Sequence, residues 1–277
     1  MIKCIEFPDK VFTTKDELFA ELKRNEEKLI SLKKAQVYKS TEKNQISFLN
    51  LDVSKLSGTA KANFDVKEGY IYPVISTTRY MDSHKDVHFD GCFNRTKNDQ
   101  QGKVYYALDH DLKWASIVAW PKDVKMFVAP IDWSLVGKNY IGQTEALVFE
   151  IAESKITKAD VLAAIKDKAS DFENSIRMSY EKVTLGLNSN DKDMAPNKAY
   201  FDNHINLIAN KEQALEDGYF WGVDALKIQK EGSLVIAGGS NDATSIITLG
   251  ADLVTPKTDP PAGSQNQRIK TIYDYLN

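Results

Sequence analysis

From about residue 42 to residue 153 the chain repeats one texture, and no other feature limits its possible folds as much. The segments ISFLNLDV, EGYIYPVIST, KVYYAL, ASIVAW, KMFVAPI and EALVFEIAE are short β-branched or aromatic runs parted by Gly, Pro, Asp and Lys. Runs of this length read as strands, and so many in succession predict a sheet-rich body. Strand-like segments return at SIRMSYEKVTLG and SLVIAGG.

Two stretches switch to helical spacing. Residues 14–35 open with a Thr14-x-x-Glu17 capping box and carry Leu18, Leu22, Leu29 and Leu32 as an apolar stripe. The charged outer face leaves two readings open: a docking helix for a partner, or a helix packed on its own domain. Residues 157–172, TKADVLAAIKDKASDF, predict a second helix capped by Thr157 with Asp160 three residues on. Residues 186–225 are polar and mixed, with a possible helix over 210–220, and read as an insertion. The stretch TPKTDPPAGSQNQR holds too little apolar surface to offset ordering. The expected organisation is an N-terminal helical extension (1–41), a body (42–253) and a flexible tail (254–277). The expected fold class is α+β, mainly β.

At 277 residues and 42% hydrophobic content the chain can bury a core without crosslinks. A net charge of −3 does not fit a protein that neutralises phosphates, so no nucleic-acid partner is expected. Cys4 and Cys92 supply neither a disulfide framework nor a zinc pattern, which predicts a reducing compartment and no metal. No apolar run approaches the roughly 18 residues that span a bilayer, and the N-terminus shows no signal-peptide core. These features predict a cytoplasmic protein with no membrane association.

Chemistry-bearing residues cluster in three places. MDSHKDVHFD sets Asp82, His84, Asp86, His88 and Asp90 close together, and with His110 they have the donor types of a metal site. A spacing of four between His84 and His88 faces them together only on a helix, and among Asp and Lys residues a solvated polar loop is the preferred reading. In YYALDHDLKW, His110 follows an apolar strand. There it is either a surface histidine or a general base for a hydroxyl held by a third polar group. In NSIRMSYEKV, alternation puts Ser175, Arg177 and Ser179 on one face and Ile176, Met178 and Tyr180 on the other. The polar face is either an active face or the solvent side of an amphipathic strand.

Four blocks, in this order, resemble the prohead maturation proteases of tailed bacteriophages, relatives of the herpesvirus assembly proteases. YMDSHKDVHFDGCF resembles an Asp-rich loop ending in a Gly-small-Phe triplet, here Gly91-Cys92-Phe93. YYALDHD resembles the strand whose terminal histidine is the catalytic base. NSIRMSY is similar to the serine-isoleucine strand that follows a helix, with Arg177 where the family has glycine. LKIQKEGSLVIAGGSNDATSI resembles a Leu-x-Glu-x-Ser strand followed by a small-residue turn, here with Glu231, Ser233, Asn241 and Ala243.

The resemblance covers about residues 65–247 and implies a herpesvirus-protease-like β-barrel surrounded by helices. It implies a serine endopeptidase with His110 as base and Ser175 as nucleophile, Ser179 being the rival serine. Glu231 is the expected third member and His204 its rival. Arg177 is a weaker candidate for oxyanion or substrate binding. The implied substrates are the scaffold and the major capsid protein, cleaved inside an assembling prohead in the host cytoplasm. Self-cleavage and self-association are also implied, and no cofactor is. A non-catalytic structural or scaffold protein of the virion that keeps the fold is the alternative.

Overall fold

The computed structural model describes residues 1–35, 62–169, 172–236 and 240–249. The predicted strand over ISFLNLDV and the predicted flexible tail (254–277) lie outside the described residues.

The capping box at the N-terminus forms as expected. Thr14 Oγ1 accepts from the Glu17 amide at 3.2 Å, the Glu17 carboxylate accepts from the Thr14 amide, and α1 (Lys15–Arg24) begins there. The single helix expected over 14–35 is in fact two. Asn25 leaves the helical conformation and its Nδ2 donates to the Glu21 carbonyl at 2.9 Å, after which α2 (Glu26–Ala35) starts afresh. The break rotates the apolar stripe: Leu18, Phe19 and Leu22 are buried, but Leu32 is 45% exposed. The buried residues of α1 and α2 join the main hydrophobic core, so both helices pack on the body.

The strands form two sheets. In the first, β1 (Tyr70–Thr77), β5 (Lys125–Asp132), β6 (Gln143–Ala152) and β9 (Ser245–Thr248) are antiparallel in the order β5-β6-β1-β9. The second is built on β8 (Tyr219–Val235). β7 (Glu173–Leu187) runs antiparallel along one side of it. Along the other side lie β2 (Asp86–His88) and then β3 (Tyr105–Leu108), both parallel to β8, with β4 (Ile117–Ala119) beyond β3. At Gly232 of β8 a Cβ would lie 2.9 Å from Phe149 of β6 and 3.2 Å from Ile75 of β1, so the two sheets meet face to face. Their ladders stay separate among the described residues and do not close into a barrel. With α3 (Asn94–Asp99), α4 (Ala159–Lys168), α5 (Ala195–His204) and α6 (Lys211–Asp217) packed around the sheets, the fold is α+β.

Two boundaries differ from the sequence reading. The cap of α4 is Lys158, because the Thr157 hydroxyl donates to the Ile117 carbonyl of β4 at 2.5 Å. The stretch 186–225 contains α5, α6 and the first seven residues of β8. Its helices are short and bury few side chains, among them Phe201, Ile205 and Ala214. The start of β8, YFWGV, is covered on both faces, so it lacks the alternation that marks a half-exposed strand.

The Asp-rich segment is also in part buried: Asp82, Asp86 and His88 lie inside, while Ser83 and Asp90 are exposed. Asp86 forms an ion pair with Lys33 of α2, accepts the Tyr180 hydroxyl of β7 at 2.9 Å, and is 1% exposed. His88 Nε2 lies 3.4 Å from Tyr180 Oη, and its Nδ1 3.4 Å from Ser76 Oγ of β1. Helix α2 and strand β7 cover the segment, which explains why a run so polar leaves the surface. Among the described residues no group of three His, Cys, Asp or Glu side chains could hold a metal ion.

Burial pushes the His88 imidazole down to about 4 and the Asp86 carboxyl up, the latter despite Lys33. The sign for His88 follows from linkage. Its folded value lies below its unfolded value of about 6.5, so the unfolded chain binds more protons between the two. Acidification from about pH 6.5 to 4 is therefore expected to cost roughly 3 kcal/mol of stability through this residue. Asp86 acts in the opposite sense, losing stability as pH rises through its raised value. Urea midpoints measured across this range for wild type and His88→Gln isolate the histidine: the acid slope should flatten in the variant, and equal slopes would refute the assignment.

Candidate active site

After β3 the chain makes a tight turn. Asp111 N donates to the Leu108 carbonyl at 2.9 Å, while Asp109 and His110 both take positive φ, 48° and 57°. This is the pattern of a type I′ turn, which favours Asn and Gly and costs energy in most other residues. Three contacts hold it. Asp109 N donates to the Leu234 carbonyl at 3.0 Å, His110 N to Ser233 Oγ at 3.1 Å, and Arg177 Nη2 to the His110 carbonyl at 2.9 Å.

The turn aims the His110 side chain back at β8. Its Nδ1 lies 2.8 Å from Glu231 Oε1, with both side chains buried. A carboxylate only accepts, so the bond puts a proton on Nδ1, and in the neutral tautomer that fits it Nε2 carries the lone pair. Glu231 Oε2 accepts the Ser233 hydroxyl at 2.5 Å, and Arg177 Nε lies 3.4 Å from Oε1. Nε2 of His110 is buried and has no hydrogen-bond partner among the described residues.

A bulge places the acid. On β7, Ile176 pairs with Gly232 and Met178 with Ile228, so residues 229–231 of β8 stand opposite Arg177 alone, with Lys230 at φ 72°. Glu231 is the last residue of this bulge, and from there the regular alternation of β8 sets it on the same face as Ser233. Ser175 is the cross-strand partner of Ser233. Paired residues of an antiparallel ladder share a face, so the Ser175 hydroxyl emerges beside the serine that holds the His110 backbone. Ser175 is 6% exposed, and its Oγ makes no hydrogen bond among the described residues.

The structure thus joins His110, Glu231 and Arg177, sets Ser175 across the ladder from Ser233, and gives the rivals other partners. Ser179 lies beyond the bulge and accepts from Gln229 Nε2 at 2.7 Å. His204 stacks on Tyr200 with centroids 4.0 Å apart, and its Nδ1 donates to the Tyr200 carbonyl. Of the carboxylates flanking His110, Asp109 is exposed and Asp111 accepts from Ser116 Oγ at 3.0 Å. Arg177, an oxyanion or substrate-binding candidate in sequence, commits Nη2 to the His110 carbonyl. Ser233 is the participant whose role the sequence reading missed, although Glu-x-Ser on a strand puts the two side chains on one face.

Comparison with protein-family models, with curated proteins and with solved structures finds no match to this chain. No helix among the described residues is long and apolar enough to cross a membrane. An imidazole whose Nδ1–H is fixed by a buried carboxylate and whose other nitrogen has no partner among the described residues is an arrangement able, in its neutral form, to take a proton from a hydroxyl brought within reach.

Proposed function

We propose that this protein is a serine endopeptidase of phage head maturation, with Ser175 as nucleophile, His110 as general base and Glu231 as the residue that orients and charge-balances the imidazole. The observation that carries the chemistry is the buried His110–Glu231 hydrogen bond with Nε2 left free. The setting and substrates rest on the four-block sequence resemblance. They are the scaffold and major capsid protein inside an assembling prohead, with self-cleavage and self-association. The kinship to the herpesvirus assembly-protease barrel belongs to the same proposal, supported by two sheets that pack face to face.

In this mechanism Nε2 of His110 accepts the Ser175 proton as Oγ attacks the scissile carbonyl. The resulting imidazolium gives that proton to the leaving amine, and water enters by the same base to release the acyl group. Glu231 stabilises the imidazolium without taking its proton. Ser175 and His110 are not hydrogen-bonded in the free protein, a looseness common before substrate binds. The same looseness favours the alternative, a non-catalytic virion protein that keeps the fold.

A fluorophosphonate probe followed by peptide mapping separates the readings. Label on Ser175 is the expected result, label on Ser179 moves the nucleophile, and a chain neither labelled nor able to cleave a co-expressed capsid precursor leaves the structural role.

A further inference from the structure

Arg177 is 18% exposed in its side chain and touches the site at two points. Nη2 donates to the His110 carbonyl, and Nε sits 3.4 Å from Glu231 Oε1 with no hydrogen bond of its own. Extending the serine-peptidase reading, we infer that Arg177 is a positioning residue that keeps His110 in its left-handed turn and offsets the Glu231 charge beside the ring.

The arginine bears on the charge balance of the site. A buried carboxylate beside an imidazole favours the imidazolium, and a histidine already protonated at working pH cannot act as a base. Two groups draw on the Glu231 charge besides His110: the Ser233 hydroxyl at Oε2 and the Arg177 cation near Oε1. With the arginine present, the carboxylate beside the ring is paired with a cation. Two further charged groups lie on its own turn. Asp109 is exposed, and Asp111 is tied to Ser116 and lies 3.4 Å from Lys113 Nζ. The backbone contact acts on geometry: the His110 carbonyl is fixed from β7 while its amide is fixed from β8, so both ends of a strained residue are anchored on rigid strands.

The test combines a histidine NMR titration with steady-state kinetics on a capsid-derived peptide, using Arg177→Gln and Arg177→Lys in the full chain. Only four histidines are present, and the His110 resonance is the one absent from His110→Ala. Arg177→Gln should raise the His110 midpoint, because a cation that draws on the Glu231 charge is removed. The acid limb of kcat/KM should move with it. Loss of the backbone clamp should lower kcat by about 10²-fold with KM little changed. Arg177→Lys should restore most of the midpoint and little of the kcat, because it keeps the charge without the forked donors.

An unmoved midpoint in Arg177→Gln, or a rise in KM alone, would overturn the inference and make Arg177 a substrate contact. If Arg177→Gln does not fold, the midpoint and kcat of Arg177→Lys decide. The titration needs no activity, so a wild-type chain that fails to cleave would end the peptidase reading while the role of Arg177 is still decided.

Discussion

Replacing His110 or Ser175 by Ala is expected to abolish processing of a co-expressed capsid precursor, with a loss in kcat on the order of 10⁶ for either change. The two losses should be equal and should not add, since base and nucleophile act on one proton. Ser179→Ala should process at the wild-type rate, because its hydroxyl is bonded to Gln229 on the far side of the bulge. Glu231→Gln is the more informative variant. It fills the same space, but an amide can present its NH₂ to Nδ1 and so favour the wrong tautomer, which puts the lone pair on Nδ1 and the proton on Nε2. The expected loss is about 10⁴, smaller than for His110 because the imidazole remains. Processing by intact-mass analysis gives the first answer and single-turnover peptide cleavage the second. A Glu231→Gln enzyme as fast as wild type would remove the carboxylate from the mechanism, and a His110→Ala enzyme that still cleaves would remove the mechanism itself.

How much of this site is legible in the sequence differs residue by residue. The strand carrying Ser175 and Arg177 reads correctly from alternation, because one face of β7 packs into the core through Ile176, Met178 and Tyr180 while the other meets the site. Glu231 and Ser233 share a face by the same period-two rule. What alternation cannot carry is a change of direction. The Asp109-His110 turn and the bulge at 229–231 break the register, and both depend on backbone conformations that are costly for the residues present. A strand reading of Asp-His-Asp puts the flanking carboxylates on the face opposite His110. The turn instead leaves Asp109 in solvent and sends Asp111 to Ser116. Tertiary pairing explains the other misreadings. The polarity of MDSHKDVHFD signals a surface loop until Lys33, 53 positions before Asp86, arrives to neutralise its carboxylate, and no local pattern announces a contact at that distance. The closed barrel implied by resemblance would need a ladder between the two sheets, and strand runs in sequence do not specify which edges pair.

The Lys33–Asp86 pair makes the N-terminal residues part of the body, and this has a large expected consequence for stability. Asp86→Ala should cost about 3–5 kcal/mol, the usual result of removing one partner from a buried ion pair, since it takes an acceptor from both the Lys33 ammonium and the Tyr180 hydroxyl. Lys33→Met should cost less. The carboxyl left behind keeps the Tyr180 hydrogen bond and already lies above the usual carboxylate range, so it can take up a proton instead of standing as a bare charge. That deficit should shrink as pH falls, whereas the Asp86→Ala deficit has no carboxyl left to relieve it. Replacing both by Met and Leu should recover much of the loss, because an apolar pair avoids the desolvation of two ions. A second anchor works independently: Glu6 accepts from the Tyr219 hydroxyl at 2.8 Å and from Trp221 Nε1 at 2.7 Å, both at the start of β8. Hydrogen exchange on Asp86→Ala should therefore show α2 opening first, while α1 and residues 1–12 keep their protection. If 1–35 were instead a separable extension, Asp86→Ala would leave the urea midpoint of the body unchanged, and a chain lacking those residues would fold with wild-type stability.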